Sequence, residues 1–158
     1  YFLESAVDWN TLESKVEEAC ELLVRTIPTV SQQCTITRGL DSDTKVENMV
    51  TVMCSQADIR AIAQRPVGNY DCQVKVTVRS QCDSTASATL AQQLTKHWSR
   101  LSRVRDAFLD EYAITFLTRA VALLYVFDSV REVQTSTVVD DRSYQSELSF
   151  NLYCIGTD

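Results

Sequence analysis

Apolar residues near the start of the chain recur at steps of three and four: Trp9, Leu12, Val16, Cys20, Leu23 and Ile27. That spacing puts them on one face of a helix, which must pack on something. Asp8 or Asn10 suits the N-cap, with Glu13 completing a capping box after Asn10, and Pro28 is expected to stop the helix. The opposite face carries Glu13, Glu17 and Glu21 at i, i+4 and i+8, with Glu18 beside them, and reads as an acidic stripe. Beyond Pro28 the period shortens from helical to alternating. Gln33 to Thr37 predicts a short strand, Arg38 to Asp43 a loop, and Lys45 to Ser55 a second strand with Val46, Val50, Val52 and Cys54 at even spacing. Ala57 to Ala63 suits a helical turn before the breakers from Pro66 to Asn69. In the next segment Tyr70, Cys72, Val74, Val76 and Val78 alternate with Asp71, Gln73, Lys75, Thr77 and Arg79, so this strand has one dry and one wet face.

A second and longer helix follows a cap at Asp83 or Ser84, with Leu90, Leu94, Trp98, Leu101, Val104, Phe108 and Tyr112 as its core stripe. It continues or bends through Ile114 to Leu123, where nearly every face is apolar and cover is required on all sides. Strands from about Tyr125 to Val138 and from Tyr144 to Ile155, joined by a polar turn at Asp140 to Ser143, close the chain as a hairpin. The order predicts a two-layer α+β fold: a mostly antiparallel sheet of four to five strands, with the N-terminal helix and the long central helix packed on one face. No repeat or linker divides it, and residues 1–158 read as a single domain.

Composition removes several kinds of chemistry. The 45% apolar and 23% charged content is that of a globular protein. The three glycines, Gly39, Gly68 and Gly156, lie at least 29 residues apart, so neither a dinucleotide fingerprint nor a Walker loop can be built. A net charge of −6 argues against general nucleic-acid binding, which needs an excess of Lys and Arg. The apolar run from Ala113 to Phe127 contains Arg119 and is too short to span a bilayer, so no membrane association is expected. The start at Tyr1 reads as a processing site or a trimmed end, which leaves a lost signal peptide open.

Candidate chemistry is sparse. His97 is the single histidine and the cysteines show no C-x-x-C spacing, so neither a metal site nor a cofactor is expected. A nucleophile pair of His97 with Cys72 or Cys82 is formally available, but His97 flanks an apolar stripe and Cys72 belongs to a dry strand face. The carboxylates Asp41, Asp43, Asp106, Asp110, Glu111, Asp140 and Asp141 sit where solvated acids usually sit, and none stands out as a catalytic pair. Six cysteines form an even set, as in a secreted disulfide framework; their placement on apolar faces favours reduced, buried thiols. Lys96, Arg100 and Arg103 at i, i+4 and i+7, with Arg105 nearby, align positive charge along the long helix. That row is either a solvated face offset by Asp106 and Asp110 or a surface for an acidic partner.

The N-terminal helix ending at Ile27-Pro28, the strand Tyr70 to Arg79, the Ser/Thr-rich start of a long helix and the closing hairpin Asp140 to Leu152 together resemble the tail-completion or tail-terminator proteins of long-tailed bacteriophages. The resemblance covers most of the chain and lies in segment order, without a diagnostic motif. It implies a small α+β virion protein, not an enzyme, assembled in the host cytoplasm as a homo-oligomeric ring, a hexamer, at the head-proximal end of the tail tube. The partners it implies are the tail tube protein and a neck or connector protein, with DNA passing through unbound. A ring needs two unlike, matching patches on each subunit. The acidic row Glu13, Glu17, Glu21 and the basic row Lys96, Arg100, Arg103, with Arg105, are the expected pair. Six copies carry roughly −36 formal charges, which suits a channel that DNA does not stick to. The cysteine content and the start at Tyr1 depart from the family pattern and keep a second expectation alive, a secreted or periplasmic disulfide-containing binding domain.

Overall fold

The computed structural model describes residues 11–39, 48–59, 69–81, 90–121, 125–139 and 143–156. Helix α1 (Leu12–Arg25) is capped by Thr11, whose hydroxyl oxygen accepts from the Ser14 amide. Its buried residues Val16, Ala19, Cys20, Leu23 and Val24 keep the predicted stripe. Pro28 does not simply end the helical region. It stands at the first position of a short helix α2 (Pro28–Gln33), where a missing N–H costs nothing because that donor has no helical partner anyway.

Three strands follow, β1 (Thr35–Arg38), β2 (Met49–Ile59) and β3 (Asn69–Gln81). The chain then forms α3 (Leu90–Leu109), α4 (Ala113–Ala120), β4 (Tyr125–Val139) and β5 (Ser143–Gly156). The strands make one five-stranded sheet in the order β1-β2-β3-β5-β4. Only the β1/β2 pair is parallel. The two-layer α+β fold with a mostly antiparallel sheet is therefore realised. The helical turn expected at Ala57 to Ala63 is not realised over residues 57–59, residues 60–63 lying outside the described ones: β2 runs on to Ile59 because its backbone, after a bulge at Cys54/Gln56, pairs with Tyr70 to Gln73 of β3. Ladder hydrogen bonds to a strand far along the sequence outweigh the local preference. The proposed caps Asp8, Asn10, Asp83 and Ser84, the loop acids Asp41, Asp43, Asp140 and Asp141, and Cys82 lie outside the described residues.

The helices pack on one face of the sheet. Val74, Val76 and Val78 of β3 and Leu148, Phe150 and Leu152 of β5 meet Val16, Val24, Leu101, Val104, Phe108 and Leu117 in a continuous core. At its centre Phe108 stacks on Phe150, with ring centroids 4.5 Å apart and planes 12° from parallel. The α3 stripe is rotated from the expected one. His97, Leu101, Val104 and Phe108 are buried, while Trp98 is 42% exposed. A pattern of threes and fours fixes a helical face only to within one position, and the core here takes the histidine in place of its aromatic neighbour.

Helix α3 ends where the Asp110 carboxylate accepts the Tyr112 amide at 2.8 Å, which diverts that donor from the helix. Tyr112, expected at the end of the core stripe, stands in this break and is 72% exposed. The second half of the apolar segment restarts as α4, burying Ala113 and Leu117, and the Thr118 hydroxyl accepts the Phe127 amide at 3.1 Å to set the start of β4.

Replacing Phe108 by Ala should cost roughly 3–5 kcal/mol in chemical denaturation, whereas Trp98→Ala should cost less than about 1.5 kcal/mol. The reverse ranking would place Trp98 in the core and contradict this packing.

Candidate functional site

The alternation of β3 and β5 divides the sheet into an apolar face under the helices and a polar face, on which Met49, Thr51 and Ser149 are nonetheless buried. Polar side chains that the sequence left without a role collect in two places, one on each side.

Under the helices, the top of the valine face of β3 ends in Ser80, and the corresponding position of β5 is Ser146. Both are buried, and His97 of α3 bridges them: Nδ1 lies 2.8 Å from the Ser80 Oγ and Nε2 lies 2.8 Å from the Ser146 Oγ. Arg100, one turn later, donates from Nη1 to Ser80 at 2.8 Å and from Nε to the Gln33 Oε1 at 3.0 Å; Asn48 Oδ1 accepts from the same Nη1 at 3.4 Å. Ser146 continues to the Thr137 hydroxyl of β4 at 2.9 Å. The orientation that uses every proton runs from Arg100 to Ser80, from Ser80 to Nδ1, from Nε2–H to Ser146 and from Ser146 to Thr137. It requires a neutral imidazole. Burial and then the Arg100 cation depress the His97 pKa to about 4, in agreement with that requirement. The network ties α3 to β3, β5, β4 and α2. His97 is fully enclosed, between Trp98 and Tyr144, and its ring nitrogens are both occupied. Its chemistry is to hold the two layers in register.

The charged rows expected on the helices are dispersed by these contacts. Arg100 is buried in the network, so it is no part of an exposed basic row; partners from α2, β3 and the residue before β2 supply the hydrogen bonds that make burial tolerable. Arg105 turns to Glu132 of β4 at 2.8 Å. Lys96 and Arg103 remain exposed. On α1, Glu17 holds Arg38 at 3.0 Å through one oxygen and the Cys54 amide at the β2 bulge through the other, joining α1 to β1 and β2. Glu21 pairs with Arg25 at 2.9 Å, and Glu13 stays exposed. Three members of the predicted pair of rows, Arg100, Arg105 and Glu17, thus bind other elements of their own chain.

A four-thiol group occupies the other end of the core. Cys72 shares a buried patch with Cys154 and Cys54 on its flanking strands and with Cys20 of α1. Hydrogen bonding with Cys154 and burial push the Cys72 thiol up to about 12, and burial raises Cys20. Neutral, inert thiols follow. All five described cysteines are free thiols, as the apolar spacing suggested, and the formal Cys72/His97 pair does not arise because His97 is bonded to two serines. Among the described residues no group of three His, Cys, Asp or Glu has the arrangement of a metal site, and no helix is long and apolar enough to cross a membrane.

The open face carries the other collection. Across β2, β3 and β5 the row Thr51, Thr77, Glu147 lies between the row Met53, Lys75, Ser149 and the row Met49, Arg79, Gln145. Short Thr51 and Ser149 sink beneath longer neighbours, leaving a groove of about 260 Å³ bordered by Lys75, Arg79, Met53 and Glu147 and by Gly39 at the end of β1. Gly39 has φ of 81°, a left-handed conformation that its lack of a Cβ permits. Lys75 reaches Glu147 at 3.9 Å.

No family model matches the chain, and no curated protein is significantly similar to it.

Because the folded pKa of His97 lies below its ordinary value of 6.5, the unfolded chain takes up a proton first as the pH falls. The stability that His97 contributes is present above about pH 6.5 and is lost between there and about pH 4. Urea denaturation at pH 7 and pH 4.5 should show wild type losing up to roughly 3 kcal/mol more than His97→Gln. Equal losses in the two proteins would mean that the imidazole is not held neutral in the fold.

Proposed function

We propose that this protein is a structural assembly subunit that closes into a ring, of the kind that caps the head-proximal end of a phage tail tube and joins it to the neck. The observation that carries the reading is the two-sidedness of the described sheet: helices cover one face, and the other is largely polar among the described residues, with a groove in it. Two unlike surfaces on one subunit are what a head-to-tail, closing interface requires. The single histidine is committed to holding the layers together, which favours a scaffold over a catalyst.

In this reading the partners are further copies of the chain, a tail tube protein at one rim and a neck or connector protein at the other, and DNA passes through an acidic lumen without being held. The net charge of −6 per chain supports that passage. The virion tail is the place of action. The alternative, a secreted disulfide framework, finds no bonded pair among the five described cysteines.

Native mass spectrometry and sedimentation at micromolar concentration test the reading. The expected result is a single species six times the 17.8 kDa chain, seen by electron microscopy as a ring with a central opening. A monomer across the whole concentration range would contradict it.

A further inference from the structure

The two halves of α3 are held to the sheet by different means. From Leu101 onward the helix buries Leu101, Val104 and Phe108 in the apolar core. Among residues 91–100 the buried side chains are His97 and Arg100, both polar; Leu94 is half-buried and Trp98 is 42% exposed. No described residue of this first half belongs to the apolar core. Its buried anchorage on β3 and β5 is therefore polar, and it runs through one titratable ring and the guanidinium one turn on.

The protons of that anchorage are fully committed. The Ser80 hydroxyl accepts from Arg100 and has one proton, which goes to Nδ1 of His97; Nε2–H goes to Ser146, whose own proton goes to Thr137. A proton added at Nδ1 turns an acceptor into a donor. Ser80 would then face two cationic donors, and among the described residues no further partner is bonded to it that could take the proton it must turn away. The surrounding elements offer no counter-charge. Next to the ring stand Ser80 of β3 and Ser146 and the Tyr144 phenol of β5; β4 reaches it only through Thr137, and α2 only through Gln33 on Arg100. The charge that acts on the ring is the Arg100 guanidinium, of like sign. Arg79 and Glu147, the strand neighbours of Ser80 and Ser146, line the groove on the other face of the sheet.

We propose that the first half of α3, residues 91–100, is an acid-released latch: when His97 takes up a proton this half leaves the sheet, while Leu101, Val104 and Phe108 keep the second half docked. In the open state the imidazolium and the guanidinium regain water, and the end of the sheet formed by Ser80, Tyr144 and Ser146 is uncovered. The sign follows from linkage, since a ring that binds a proton more readily outside its site than in it favours the open state as the pH falls. Opening is local and precedes any loss of the sheet, which sets it apart from a uniform fall in stability. The latch is a property of the single chain and holds whether or not copies close into a ring.

Amide hydrogen exchange at pH 7 and pH 4.5, corrected for the intrinsic rates, tests the latch in wild type and in His97→Gln, whose side chain does not titrate. With the imidazole titrating at 6.5 when free and at about 4 when docked, opening should become roughly 50-fold more favourable over this interval. In wild type a loss of protection of that size should be confined to the first half of α3, with residues 102–109 and strands β3 and β5 losing far less. His97→Gln should show no such local loss. Carboxylates that titrate in the same range do so in both proteins and cancel in the comparison. Protection lost evenly over α3 and the sheet, lost equally in His97→Gln, or not lost at all overturns the latch. Where His97→Gln does not fold, wild type alone decides: the loss must be confined to the first half of α3 and must follow the imidazole titration seen by NMR, and a loss that fails either condition overturns the proposal.

Discussion

Among the described residues the helices lie on one side of the sheet, and that is the constraint from which the rest of this molecule follows. Each strand alternates its side chains between an interior and water, so β3 and β5 must be valine- and leucine-rich on one face and polar on the other. A slip of one residue anywhere would exchange the two. The β4 bulge between Phe127 and Ser129 serves this demand, because it resets the alternation so that Phe127, buried opposite Cys154, and Val130, half-buried opposite Leu152, both meet the core.

The buried polar seam answers the second demand, that the helical layer sit in one position on the sheet. Apolar packing between Phe108 and Phe150 is strong but tolerates sliding. Hydrogen bonds from His97 and Arg100 to Ser80 and Ser146 do not, since any shift would leave a buried donor or acceptor unpaired. Glu17 does the same for α1 by holding Arg38 and the bulge amide of Cys54. Layers held this firmly give the described part of the molecule one fixed arrangement of helices on sheet.

Much of the fold was legible along the chain, and the reasons for the remainder are physical. The alternation from Tyr70 to Val78 and from Leu148 to Cys154, and the threes and fours ending at Phe108, announce their elements because each is a local period imposed by a buried face. What could not be seen was pairing at a distance. Arg100 reads as solvent-exposed until Gln33, Asn48 and Ser80 are brought beside it, and Glu17 reads as one of a stripe until Arg38 and Cys54 arrive. Residues 57–59 read as helical until β3 offers them a ladder. Tyr112 follows Phe108 at a regular step of four and reads as core until the Asp110 carboxylate takes its amide and breaks the helix.

That the buried polar seam fixes the helical layer on the sheet is most directly tested by amide hydrogen exchange in the double variant Ser80→Ala with Ser146→Ala, which leaves both ring nitrogens of His97 without their partners. The account predicts that α3 loses protection while the ladder of β3 and β5 keeps most of its own; protection of α3 equal to that in the wild type would contradict it.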